Sequence, residues 1–136
     1  MLNDKTILVT GAGDGIGKAA AIKYAALGAN LILLGRTLSN LEKSYDEIIS
    51  NGSPTPIISL MDFSRADAND YQDLIDNLSD KYGCLDGLLL NAGILGDRSP
   101  ISQYDVPTWV NTLHVNLTAQ FILTQTLLPV LYKSKN

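Results

Sequence analysis

The chain is 136 residues long, the size of one ordinary domain, and its 46% apolar content excludes a disordered polymer. A net charge of −4, with no basic run beyond an isolated pair, argues against nucleic acid as a partner. The single cysteine, Cys84, permits neither an intrachain disulfide nor a thiolate metal cluster, and it suits a reducing, cytoplasmic setting.

Apolar runs and helical patterns then alternate along the chain. "TILVT" (6–10) reads as a buried strand, and the alanine-rich stretch from Gly15 to Leu27 reads as a helix stopped by Gly28. "NLILLG" (30–35) is a second strand. "SNLEKSYDEIIS" (39–50) is a helix with Ser39 as its N-cap, ended by Asn51-Gly52. "PIISL" (56–60) is a third strand. Tyr71, Leu74, Ile75, Leu78 and Tyr82 recur at helical spacing and define one apolar face. "LDGLLLNAG" (85–93) carries the fourth strand, and a polar loop leads into a long helix from about Pro107 to Lys133. Its apolar stretch, "AQFILTQTLLPVLY", is interrupted by Gln120, Gln125 and Pro129, too short and too polar to span a bilayer. Strands that alternate with helices pair in parallel, because each return needs a helical crossover. Near-continuous apolar strands mean that both sheet faces are covered. The pattern predicts one doubly wound α/β domain over residues 1–136.

"TGAGDGIG" (10–17) places four glycines at the exit of the first strand. Strand, glycine-rich turn and helix start together make an anion site, since free N–H groups and the helix dipole favour negative charge. A purely structural glycine-rich turn is the competing reading. A Walker A loop ending on Gly17-Lys18 needs glycine at 12 and Ser or Thr at 19, where Ala12 and Ala19 stand. The G-x-G-x-x-G dinucleotide pattern also fails, because Ile16 takes its last place. What remains is T-G-x-x-x-G-I-G. "NAG" (91–93) ends the fourth strand, Asp62 follows the third, and "HVN" puts Asn116 in the long helix.

With these motifs in this order, the chain resembles the short-chain dehydrogenase/reductase family in its main short-format branch; Asp14 breaks the extended branch's T-G-x-x-G-x-x-G. The resemblance implies a three-layer Rossmann-type fold with strand order 3-2-1-4, NAD(P) as cofactor, and hydride transfer on small alcohols or carbonyls. It also implies roles for matching residues. Gly11, Asp14, Gly15, Ile16 and Gly17 line the pyrophosphate. Asp62, with Phe63 beside it, contacts the adenine edge. Asn91, Ala92 and Gly93 line the ribose side, and Asn116 is the catalytic-relay asparagine. No metal is implied.

The end of the second strand selects the cofactor. NAD binders place a carboxylate there for the ribose 2′-hydroxyl. Here "LLGRT" offers Gly35 and then Arg36, whose planar fork suits a 2′-phosphate, with the Thr37 hydroxyl beside it. NADP(H) is expected over NAD(H), the competing reading of Arg36 being a solvated surface arginine. Bland readings suffice elsewhere: His114 as a packing histidine, Cys84 as a buried filler, Asp97 and Arg98 as a polar rim, Trp109 and Phe121 as core or interface.

The family's chemistry needs a tyrosine acid/base, a lysine four residues on, and a serine. A free tyrosine titrates near 10, so a cation must bring it toward neutrality. Four residues after Tyr24, Tyr45, Tyr71, Tyr82, Tyr104 and Tyr132 stand Gly28, Ile49, Ile75, Asp86, Thr108 and Asn136. None is lysine. The chain therefore reads as the N-terminal, dinucleotide-binding portion of a longer enzyme, expected to be inactive alone; a catalytically inactive binding module is the alternative. The complete protein is expected to be a homo-oligomer. In the isolated chain, part of Leu113, Leu117, Ile122, Leu127 and Leu128 is expected to lack support, so that the chain self-associates.

Overall fold

The computed structural model describes residues 1–135. Strands β1 (Thr6–Thr10), β2 (Asn30–Gly35), β3 (Ile57–Leu60) and β4 (Gly87–Leu89) form one parallel sheet in the order β3-β2-β1-β4. Helices α1 (Gly15–Ala26), α2 (Leu38–Ser50) and α3 (Ala68–Tyr82) fill the crossovers. After β4 come a short 3₁₀ turn (Ile101–Gln103), α4 (Val106–Leu113), a π-helical turn (His114–Thr118) and α5 (Ala119–Leu131).

Period-two alternation along β1 and β2 sends apolar side chains to two separate cores. Ile7, Val9, Leu31 and Leu33 pack on one sheet face against Ala21 and Ala25 of α1 and Leu41 and Ile48 of α2. Leu8, Ile32 and Leu34 pack on the other face against Leu74 and Leu78 of α3 and Leu123 and Leu127 of α5. β1 is buried along its whole length, which is what a central strand with helices on both faces requires. The alternating, doubly wound reading and the 3-2-1-4 order both hold.

Several local expectations change, and the burial of individual side chains becomes definite. Ser39 is not the N-cap of α2: Thr37 has the extended backbone of a cap, and Ser39 lies in the first turn. The fourth strand is only Gly87–Leu89, because β1 exits into the glycine loop and Leu90–Gly93 have no ladder partner beyond Val9↔Leu89. The long helix is interrupted at His114–Thr118, where the N–H of Ala119 donates to the His114 carbonyl five residues back. Gln120 Nε2 donates to the Val115 carbonyl at 2.9 Å within that distortion. Leu127 is fully buried in the α3–α5 core, whereas Leu113 and Leu117 are exposed and Ile122 and Leu128 half-buried. Trp109 and Phe121 are exposed as well, which removes the core reading for both, and Cys84 is half-buried rather than buried.

Candidate dinucleotide cleft

The site grows from the C-terminal ends of β1, β2 and β4, where the parallel strands end together and the crossovers diverge. Chain ends of this kind leave a crevice at the switch point of an open α/β sheet. Here it is a cleft of about 390 Å³ lined by Gly11, Gly13, Asp14 and Gly15, by Arg36, Thr37 and Asn40, and by Asn91, Ala92 and Gly93. A smaller recess of about 110 Å³ adjoins it, lined among others by Asp62, Phe63 and Ile94.

Glycine is required at two points for identifiable reasons. Gly11 turns the chain out of β1 at φ +66°, in the left-handed region that L side chains avoid. Gly17 is buried where α1 crosses the loop. A Cβ there would overlap the Gly11 carbonyl oxygen and stand 2.5 Å from Asn91 Nδ2. Asp14 caps α1, its carboxylate accepting from the Gly15 N–H at 2.7 Å. The first four N–H groups of a helix have no intrahelical partner. The first carbonyl bond along α1 runs from the Lys18 N–H to Asp14 at 3.1 Å, so the N–H groups of Ile16 and Gly17 remain free for an anion.

Thr10 ties the two sides of the crevice together. Its buried hydroxyl oxygen accepts from the N–H groups of Asn91 and Ala92, both at 2.9 Å, and the hydroxyl donates to the Leu89 carbonyl at 3.3 Å. Asn91 Nδ2 donates back to the Thr10 carbonyl at 3.2 Å. From α2, the buried Ser44 hydroxyl donates to the Ala12 carbonyl at 2.8 Å and fixes the next peptide of the loop. An ion pair of 2.9 Å between Lys18 and Glu47 joins α1 to α2 at the surface.

The sequence-predicted residues therefore gather, with differences in placement. Gly11, Asp14, Gly15, Arg36, Thr37, Asn91, Ala92 and Gly93 line the main cleft, and Asp62 and Phe63 line the recess. Phe63 is buried and stacks on Tyr71, while Asp62 accepts from the Ser64 N–H at 2.9 Å. The Ile16 side chain points to solvent, and Gly17 lies beneath the cleft. Arg36 is exposed and belongs to no ion pair among the described residues. Asn116 sits in the π turn with both ends of its carboxamide engaged by one residue: Oδ1 accepts from the Ile94 N–H at 2.7 Å, and Nδ2 donates to the Ile94 carbonyl at 2.8 Å. It thereby pins the loop that leaves Gly93. A few residues further on, the Asp97 N–H donates to the Tyr104 hydroxyl at 3.0 Å.

Sequence reasoning missed Thr10, Gly13, Asn40 and Ser44 as site residues. Ser44 carried a signal: it interrupts the buried stripe of Leu41 and Ile48 on α2, and a hydroxyl kept in an apolar stripe needs a partner.

A doubly wound sheet with a glycine loop, a cation at the second strand and Asn-Ala-Gly at the fourth defines a nucleotide-binding α/β domain. The chain belongs to the short-chain dehydrogenase family, whose model matches residues 5–136. It is 42% identical over 134 residues to the oxidoreductase YciK of Escherichia coli (strain K12), covering 98% of this chain and 53% of that protein. A short chain dehydrogenase structure from Pseudomonas syringae superposes with a TM-score of 0.96 at 44% identity, covering 99% of this chain and 56% of that one. Another, from Escherichia coli CFT073 and complexed with NADPH, superposes with a TM-score of 0.94 at 44% identity, covering 98% and 56%. The chain spans about half the length of the curated relatives it matches. Among the described residues, no helix is long and apolar enough to cross a membrane.

Proposed function

We propose that this chain binds NADP(H) and serves as the dinucleotide-binding portion of an oxidoreductase that transfers hydride to or from a small carbonyl or alcohol. The observation that carries the reading is the lining of one cleft by both the glycine loop and the Arg36-Thr37 pair, with Gly35 where an NAD site places its carboxylate. The residues fit the group. The cleft falls in the range of about 300–1,000 Å³ usual for small-molecule sites. Side chains at Gly11 or Gly17 would collide with Asn91, and the free N–H groups at the start of α1 suit a pyrophosphate.

Gly11, Asp14, Gly15, Ile16 and Gly17 would line the pyrophosphate, with the free N–H groups of Ile16 and Gly17 as its donors. Arg36 pairs bidentately with the 2′-phosphate, and Thr37 adds its hydroxyl. Asp62 and Phe63 flank the adenine side, while Asn91, Ala92 and Gly93 border the ribose toward the reacting ring. When bound, the nicotinamide supplies or accepts hydride. Asn116 holds the Ile94 peptide, and with it the loop beside that ring, and is read as the catalytic-relay asparagine. NAD(H) is the weaker ligand. The complete protein is read as a homo-oligomer in a reducing, cytoplasmic setting.

A second reading is a binding module without catalysis; within residues 1–136 none of the six tyrosines has lysine four residues on. Titration of 2′-phospho-ADP-ribose and ADP-ribose against wild type and Arg36→Ala tests the cofactor assignment. The expected result is tighter binding of the phosphorylated ligand, lost with the arginine; equal affinities in the wild type refute it. NADPH oxidation with a panel of aldehydes, ketones and quinones separates the readings. No turnover is expected from residues 1–136, and turnover that vanishes in Asn116→Ala overturns that expectation.

A further inference from the structure

We propose that Asn40 is a specificity-determining residue of the cleft, its carboxamide donating a hydrogen bond to the 2′-phosphate of the dinucleotide beside Arg36 and Thr37. The inference rests on the NADP(H) reading above and deepens it.

Asn40 is the third residue of α2 and lines the cleft together with Gly13, Arg36 and Thr37. Its backbone is held at both ends. The N–H donates to the Thr37 carbonyl at 3.1 Å, and the carbonyl accepts from the Ser44 hydroxyl at 3.3 Å. The single proton of that hydroxyl goes mainly to the Ala12 carbonyl at 2.8 Å, with the Asn40 carbonyl a weaker second acceptor, so Ser44 sits between Asn40 and the glycine loop. The side chain is seated just as closely: a Cβ on Gly13 would lie only 2.9 Å from the Cβ of Asn40. Yet the carboxamide itself makes no hydrogen bond to any described residue. A short, half-buried polar group with a fixed base and an unused head is placed for a ligand.

The chemistry separates its part from that of Arg36. Arg36 brings charge on a long, exposed side chain. Asn40 brings a neutral donor on a short stem whose position the loop contact sets. A phosphate oxygen accepts from the Asn40 Nδ2 in a charge-assisted bond, whereas a 2′-hydroxyl offers only a neutral one, roughly half as strong. Asn40 therefore adds to discrimination between the two cofactors and little to dinucleotide binding as such.

Calorimetric titration of the full chain with 2′-phospho-ADP-ribose and with ADP-ribose reads this directly. Asn40→Ala should weaken 2′-phospho-ADP-ribose about tenfold, the loss of one hydrogen bond to a charged group, and change ADP-ribose by less than about threefold. Asn40→Asp should weaken 2′-phospho-ADP-ribose by about 100-fold through like-charge repulsion. It should leave ADP-ribose unchanged or tighter, because a carboxylate accepts from the 2′-hydroxyl. Ser39→Ala, at an exposed neighbour, should move neither ligand. Thermal melts accompany each variant, and if Asn40→Asp fails to fold, the ligand ratios of Asn40→Ala and Asn40→Ser decide. Equal weakening of both ligands, or no change in either, overturns the role of Asn40. If the wild type itself shows no preference and Arg36→Ala changes nothing, the NADP(H) reading fails first. A wild-type preference that survives Asn40→Ala removes Asn40 alone.

Discussion

The middle of the sheet and its β4 edge are built to different standards. In β1 and β2 nearly every residue is buried, and the glycine loop beside them is clasped from two directions, by Thr10 with Asn91 and by Ser44. On the side of β4 and α4, the strand is three residues long and only half-buried. There Trp109, Val110, Leu113, Leu117 and Phe121 stand between 43% and 67% exposed. The cleft opens at the C-terminal ends of the central strands and takes Asn91, Ala92 and Gly93 from the loop that follows β4. A binding site can thus be organised by a few hydrogen bonds between strand ends while a neighbouring apolar face stays open to water, because those bonds need only one partner each and burial of a helix face needs a whole opposing surface.

The sharpest way to break that comparison is to damage the organised side. Gly17→Ala drives a methyl into the Gly11 carbonyl oxygen and Asn91, at a crossing where both partners are fixed backbone or hydrogen-bonded amide. We expect dinucleotide affinity to fall by more than about 100-fold, with several degrees lost from the melting midpoint. Titration of 2′-phospho-ADP-ribose and a thermal melt check it; near-wild-type binding would show that the crossing has slack.

The open side is tested next. Each large side chain left in water forgoes about 1.5–3 kcal/mol of burial, and contiguous apolar surface of this kind seeks a partner. At micromolar protein the 136-residue chain should self-associate and bind ANS, and Leu117→Gln with Phe121→Gln should reduce both. Sedimentation velocity showing a sharp monomer, with no dye signal and a cooperative melt, would mean that this half-sheet is self-sufficient.

The smallest effect lies at the hinge between the two regions. Asp86 accepts from the Thr6 N–H at 2.9 Å and the Ser134 hydroxyl at 2.7 Å, with Lys5 at 3.6 Å. Burial pushes its carboxyl up, but the Thr6 N–H, the Ser134 hydroxyl and Lys5 together outweigh burial and hold it below the usual carboxylate range. A group whose folded pKa is depressed stabilises fully above its unfolded value, near 4, and loses that contribution as the pH falls through the folded value. Urea unfolding between pH 2 and 7 should show this acid limb. Asp86→Asn should flatten it and lower stability at neutral pH; an unchanged limb would assign the acid sensitivity to other carboxylates.

Asn116 and α2 show how far the chain could be read. The π turn was illegible because "LHVNLTAQF" carries a continuous helical pattern with no proline or glycine. Within that turn the Asn116 carboxamide meets Ile94, 22 positions away, a partner that the local pattern does not announce. Thr37 rather than Ser39 starts α2 because β2 ends at Gly35 and leaves only Arg36 before the cap. That boundary depends on strand register, not on capping chemistry, since Thr37 makes no side-chain cap bond.

The sequence by itself determined the alternation of strands and helices, the anion-binding turn, the cation at the second strand and the resemblance that placed β4 beside β1. These are short-range properties: period, propensity and fixed spacing within a few residues. Only the tertiary structure decided that Thr10 bridges to Asn91 and Ala92, that Ser44 holds Ala12, and that Asn40 stands with a free carboxamide against Gly13. It also decided that Leu127 is buried while Leu117 is not. Each depends on which distant segment lies opposite, and a polar side chain or a leucine looks the same in sequence whether or not that partner arrives.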